Sequence, residues 1–273
     1  PVVNVPGMEG ECRVGWEAIS DCLNKDLSQI DKKVKIVVLE CYQGVLDDEV
    51  VEALQSFFPS SHWFFSQDAM LSSERINALL KQDITDDEIF GYMTRQTMDC
   101  YFDEKKLKDV RSEIAAVAEG IVFVYGVGAA YIQPTSDLLV YADMARWEIQ
   151  MRFRRNEVSN VGVENKEERA SLQYKRAFFV DWRICDRFKK KLMKRWDYVL
   201  DTNIAGTPKM ATAKAVWNGL EKASRTPFRV VPFFDPGPWG GQWMKEVCDL
   251  DRDVPNFAWC FDCVPEENSL YFS

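Results

Sequence analysis

An α/β fold, a mostly parallel sheet flanked by helices and followed by the first strands of a β domain, is what this sequence predicts. Three observations carry that expectation. Short runs of strand length, VKIVVLE at 34–40, IVFVY at 121–125 and LLVYA at 138–142, are largely apolar on both faces, as strands covered by helices are. Segments of helical periodicity alternate with them. From residue 227 the composition turns to Pro, Trp and Gly without helical spacing.

In chain order, residues 1–33 form an N-terminal segment. Val5-Pro6-Gly7 is irregular, and Trp16, Ile19, Leu23 and Leu27 then recur at helical spacing. The strand at 34–40 and a loop precede a helix marked by Leu46, Val50, Val51, Leu54, Phe57 and Phe58. An aromatic strand, His62–Phe65, ends in Ser66-Gln67-Asp68. Helical patterns follow through Ile76, Leu79 and Leu80, through Ile89, Phe90 and Met93, and over 107–118. Beyond the strands at 121–125 and 138–142, charged helical segments occupy 143–155 and 166–195, and Tyr198-Val199-Leu200 is a last short strand. This gives an α/β domain over 34–205. A linker with a helix from about Ala211 to Ala223 spans 206–226, and the β segment starts at 227.

Composition narrows the function classes. With 273 residues, 47% of them apolar, the chain has ample material for a core. Forty-three acidic against 34 basic side chains give a net charge of −9, a field that repels nucleic-acid phosphates and anionic lipid surfaces. Neither nucleic acid nor membrane is therefore expected as a partner. No run approaches the roughly 20 apolar residues of a bilayer span, and a cytoplasmic location is the expectation. The eight cysteines are mostly far apart, which argues against a disulfide scaffold. His62 is the only histidine. It excludes zinc sites that need two or three histidines and leaves one candidate base for any Ser-His-Asp or Cys-His arrangement.

In α/β chains the loop after the first sheet strand is where backbone N–H groups and a helix start can cradle a phosphate. Here that loop reads Glu40-Cys41-Tyr42-Gln43-Gly44-Val45-Leu46-Asp47-Asp48. Together with the strand before it, the helix DDEVVEAL, the Ser66-Gln67-Asp68 strand end, IVFVYG and the arginines 152, 154 and 155, it resembles the P-loop nucleoside kinases, the uridine kinase type in particular. The resemblance spans about residues 34–205. It places Gly44 on a loop glycine, Asp47 on the phosphate-binding lysine and Asp48 on the Mg²⁺-binding Ser/Thr. Two carboxylates at that helix start suit the helix dipole and repel an anion, so the resemblance implies a degenerate phosphate loop without phosphoryl transfer. The strand end Val124-Tyr125-Gly126 also lacks the acidic residue often found there in these kinases. By the same resemblance Asp68 falls where a carboxylate meets nucleoside hydroxyls, and Arg152, Arg154 and Arg155 fall in the phosphate-contacting lid. Read as residues alone, Asp68 is a strand-end cap and the arginines a solvated helix face paired with Glu148, Glu157 and Glu164.

Other motifs carry less. Gly126-Val127-Gly128 would need a glycine at 131 for a dinucleotide fingerprint, and Tyr131 stands there. Cys260-Phe261-Asp262-Cys263 has no second cysteine pair at zinc-ribbon spacing and reads as packing. Asp83, Asp86 and Asp87 read as a capped, solvated helix start rather than a calcium loop.

The tail, PFRVVPFFDPGPWGGQW to FAWCFDCVPEENSLYFS, resembles the opening of class I mannose-6-phosphate isomerases on Pro232, Trp239, Gly240, Gly241, Trp259, Pro265 and Ser269. Such isomerases are cupin-type β-barrels in which Gln, Glu and two His hold a zinc that organises proton transfer between C1 and C2 of the sugar phosphate. Those ligands lie beyond the segment present here, and no histidine follows His62. The family commonly has an acidic residue two positions before the second Trp, where Phe257 stands. An aromatic β segment that stops at Ser273 would leave an open sheet edge, so a longer parent carrying the rest of the cupin domain is expected. The resemblances imply the N-terminal part of an isomerase-like protein of carbohydrate metabolism. Zinc is implied only for the full-length parent, and no cofactor for this chain. The kinase-like part then serves as a binding, regulatory or structural module. The alternatives are a nucleoside- or sugar-binding pseudokinase using Asp68, Arg152, Arg154 and Arg155, and an active nucleoside kinase.

Overall fold

The protein is described by a computed structural model over residues 3–225, 230–233, 246–247, 249, 260–263 and 272. Its α/β body is a seven-stranded mixed sheet, mostly parallel, flanked by helices. The strands are β1 (Cys12–Val14), β2 (Val34–Cys41), β3 (His62–Phe65), β4 (Gly120–Gly126), β5 (Leu138–Asp143), β6 (Tyr198–Asp201) and β7 (Lys209–Thr212). Their spatial order is β1-β7-β6-β5-β2-β4-β3. β2 to β6 run parallel, while β1 and β7 pair antiparallel at one margin. β2 is the central parallel strand, with Val38 opposite Val124 on one side and Leu139 on the other. Those three side chains are buried, which is why both faces of these strands read apolar.

The helices are α1 (Trp16–Ser28), α2 (Asp47–Phe57), α3 (Ser73–Ile84), α4 (Glu104–Ala116), α5 (Ala129–Ile132), α6 (Arg146–Arg154), α7 (Ala170–Arg176), α8 (Trp182–Leu192) and α9 (Ala213–Ser224). Each long one buries a stripe, as α1 does with Ile19, Leu23 and Leu27 and α4 with Leu107, Val110 and Ile114. Asp103 caps α4, accepting from the N–H groups of Lys105 and Lys106 at 3.0 and 3.2 Å.

Four local departures from the sequence reading have physical reasons. Residues 85–97 are not helical. Thr85 ends α3 at φ 61°, Tyr92 N–H donates to Asp83 O, Thr94 N–H donates to Phe179 O, and Ile89, Phe90 and Met93 face solvent. The N-terminal segment contains β1, whose three residues are too few to show alternation. The stretch 206–226, read as a linker, contributes β7 and α9 to the body, and β7 bonds both β6 and β1. The helical stretch expected over 166–195 starts at Ala170, runs on to Arg195 and widens into a π-turn at Ala177–Asp181, where Asp181 is buried.

A separate antiparallel pair joins β8 (Val230–Phe233) to β9 (Cys260–Cys263), so the backbone of Pro232 and of the two cysteines is in strand. Trp239, Gly240, Gly241, Trp259, Pro265 and Ser269 lie outside the described residues. Among the described residues no helix is long and apolar enough to cross a membrane.

Candidate functional site

Ligands of open α/β sheets gather at the carboxyl ends of the parallel strands, where the sheet order leaves a crevice between loops. In this protein the loop after central β2 lies at that place, and its residues Glu40 to Val45 are all buried. Gly44 adopts φ +94°, and a Cβ there would come within 2.8 Å of Ile149 Cγ1 on α6. One turn further along α6, Arg152 is 1% exposed. Its Nη1 donates to Gly44 O at 2.7 Å, and its Nη2 to Thr202 O at 2.6 Å and Asn203 O at 3.2 Å. The guanidinium therefore clamps the loop after β2 to the segment after β6. Burial lowers its pKa, and Glu148, 3.3 Å from Nε, opposes that shift.

The rest of the loop is covered as well. Gln43 Nε2 donates to Ser159 O at 3.3 Å, and Tyr42 donates its hydroxyl to Asp186 of α8 at 2.9 Å. The Lys189 ammonium lies 5.8 Å from the Tyr42 ring centroid and pairs with Asp143 at the end of β5. The covering segment 158–165 is fastened by a buried network. Asn160 donates to Asp181 at 2.8 Å, Tyr101 donates to the same carboxylate at 2.5 Å, and Arg176 donates to Val161 O at 2.6 Å.

At the start of α2 the two carboxylates stand where they were expected. Asp47 reaches solvent, yet protein crowds it on several sides. Desolvation raises its pKa, with the charges of Asp48 and Glu164 adding, while the Tyr125 hydroxyl bond and Lys166 oppose. Tyr125, at the end of β4, donates that bond at 2.7 Å. A phosphate at this helix start would meet negative charge rather than an ammonium.

Beside this loop, the turn after β4 presents converging N–H groups to a carboxyl. Gly128 N–H and Ala130 N–H each donate at 2.7 Å to Glu40, one to each carboxylate oxygen. Glu40 is 2% exposed, and burial pushes its carboxyl up to about 8, the two N–H bonds only partly offsetting it.

The remaining sequence candidates are dispersed. Asp68 is exposed at the far flank of the sheet, where it lines a groove between β3 and α4. Arg152 acts between β2 and β6, on the other side of the central strand, so the two do not share a site. Arg154 is exposed. Arg155 pairs on the surface with Glu148 at 2.6 Å and Glu157 at 2.8 Å. The sequence alone does not mark Glu40, Tyr125 or Gln43 as site residues. Glu40 had a signal, a carboxylate ending an otherwise apolar strand, whereas the roles of Tyr125 and Gln43 depend on partners more than 70 residues away. Among the described residues, no group of three or more His, Cys, Asp or Glu side chains is placed to hold a metal.

A family model described as a domain of unknown function (DUF8485) matches residues 15–225, the whole of the sheet except β1. None of the curated proteins matches the chain.

Proposed function

The chain belongs to the DUF8485 family, a domain of unknown function, and we propose that its α/β body is a P-loop-kinase-like module that does not transfer phosphoryl groups. The supporting topology is the order of the five parallel strands. Numbered along the chain from β2, they lie 2-3-1-4-5, with the loop of interest on the central one. The observation that carries the loss of activity is Arg152. Its buried guanidinium occupies backbone carbonyls of the loop and of the β6 end, and Ile149 closes on Gly44. Asp47 and Asp48 stand in place of the cation and the metal ligand that phosphoryl transfer requires.

The module's role in this reading is structural or regulatory, within an isomerase-like protein of carbohydrate metabolism. That parent activity, aldose–ketose conversion of mannose 6-phosphate, rests on the Trp239-Gly240-Gly241 tail. The zinc it implies does not fit this chain, because its single histidine, His62, is exposed at the start of β3. A pseudokinase that binds nucleoside or sugar through Asp68, Arg152, Arg154 and Arg155 is disfavoured by the separation of Asp68 from Arg152 across the sheet.

The test is ADP release from ATP with uridine and Mg²⁺, alongside calorimetry with ATP, nucleosides and mannose 6-phosphate. No ADP release is expected. Turnover above the no-enzyme rate that vanishes in Asp68→Ala would overturn the reading in favour of an active kinase, and heat with a nucleoside would favour the pseudokinase.

A further inference from the structure

The two margins of the sheet are treated differently. β1 is three residues long and carries the charged Arg13, and Gly15 at φ +85° turns the chain away after it. Shortness and charge are the usual protections of a free edge. β3 has neither. Its sequence is His-Trp-Phe-Phe, and among the described residues it pairs with β4 alone, as the last strand of the sheet.

Beside that edge runs a groove of about 410 Å³ between β3 and α4. Three consecutive residues, Trp63, Phe64 and Phe65, line it, so the strand edge itself forms one wall. The opposite wall is α4, with Val110 at the base. The groove's charge is unbalanced. Asp68, Asp109 and Glu113 are exposed, with no salt bridge or side-chain hydrogen bond among the described residues. Its one cation, Lys106, donates to Met70 O at 2.9 Å. The floor is rigid, since Trp63 stacks on Phe123 with ring centroids 4.5 Å apart.

From this we infer that the β3 edge is a docking site for an extended, basic segment of a partner protein, which adds as an eighth strand. Backbone pairing along His62 to Phe65 supplies the alignment. Alternate side chains of the incoming strand face α4, where Lys or Arg would meet Asp68, Asp109 and Glu113. The three carboxylates oppose an acidic strand, and they oppose a second copy of this chain, whose β3 edge would bring the same three carboxylates to the contact.

The experiment uses the whole chain and a fluorescent ten-residue peptide of alternating Val and Lys. Two further peptides serve as probes, one with Glu in place of Lys and one N-methylated on alternate backbone amides so that one edge cannot pair. The Val/Lys peptide is expected to bind saturably. Affinity should fall about tenfold or more in the charge-reversed variant Asp109→Lys/Glu113→Lys, and with either altered peptide. Circular dichroism of the variant checks that the surface exchange leaves the fold intact. Equal binding of the N-methylated peptide would overturn strand addition. Equal binding to the charge-reversed protein, or no binding at all, would overturn the site. Sedimentation that reveals a dimer dissociated by Phe64→Lys would assign the edge to a second copy and likewise overturn the proposal.

Discussion

The turns that follow β2 and β4 are neighbours on the same sheet edge, yet they have exchanged the roles that their positions suggest. The loop after β2 sits on the central strand before a helix, the place for an anion, and it carries two carboxylates and a carbonyl held by Arg152. The turn after β4 precedes only a four-residue helix, and its N–H groups hold a carboxyl, but that carboxyl is the protein's own Glu40. The two are cross-tied. Glu40 reaches from β2 to the β4 turn, and Tyr125 reaches from β4 to Asp47 at the start of α2. The side chains at the carboxyl ends of β2 and β4 therefore bond to one another, which ties the two turns into one joint.

The largest break in that arrangement is Arg152→Ala. It leaves Gly44 O, Thr202 O and Asn203 O buried without their donor and opens a void among α6 and two strand ends. Losing one partner of such a buried charged cluster costs about 3–5 kcal/mol. Urea unfolding should show a midpoint shift of that size at unchanged m-value. A loss under about 1 kcal/mol would mean that the clamp holds little. The void also tests the functional reading, because Arg152→Ala should gain no ADP release while Asp47 and Asp48 remain.

Next in size is the pH dependence contributed by Glu40. Its folded value of about 8 lies above the roughly 4.3 of an unfolded glutamate, so between those values the folded chain holds a proton that the unfolded chain releases. Stability from this group is complete below about pH 4.3 and is lost as pH rises towards 8, on the order of a few kcal/mol in all. Glu40→Gln abolishes the titration. The stability gap between wild type and variant, measured by urea unfolding from pH 5 to pH 9, should narrow as pH rises. A gap independent of pH would place the Glu40 carboxyl near its ordinary value and make the β4 turn a true anion site with a permanent charge.

Gly44→Ala is a smaller insult to the same loop. The new methyl at φ +94° meets Ile149 Cγ1 at 2.8 Å and Cγ2 at 3.1 Å, at the branch of a side chain that is stiff there. A loss of about 1–3 kcal/mol follows from backbone strain plus overpacking. Adding Ile149→Ala, which removes both γ carbons, should make the double variant less destabilised than the sum of the two single changes, and strict additivity would assign the Gly44→Ala cost to the backbone alone.

How much of this was legible in the sequence follows from the range over which each feature is determined. The parallel core was legible, because VKIVVLE, IVFVY and LLVYA each state their burial locally. The acidic start of α2 was legible from Asp47 and Asp48 alone. β1 and β7 were not, since three or four residues of antiparallel pairing have no period to read. The exposed Ile89, Phe90 and Met93 mimic a helical stripe, and only Asp83 O and Phe179 O, which hold Tyr92 and Thr94, decide otherwise. The arginines show the limit most directly. Three residues in one run, 152, 154 and 155, look alike in sequence, and the helix phase sends Arg152 inward to carbonyls from residues 44 and 202 while Arg154 and Arg155 stay in solvent.

The smallest expected effect is the most specific to the cross-tie. Tyr125→Phe removes the hydroxyl that donates to Asp47 and leaves the ring in place beside Trp63 and Phe65. Because Asp47 reaches solvent, water replaces the lost donor, and the cost should be about 0.5–1 kcal/mol. The Asp47 carboxyl, already raised, should rise further, since the bond that opposed the shift is gone. Carboxyl chemical shifts followed through acid titration read that change directly. In a double-mutant cycle, Tyr125→Phe and Glu40→Gln should couple if the two turns move as one joint. Strict additivity would separate them into independent turns that happen to be adjacent.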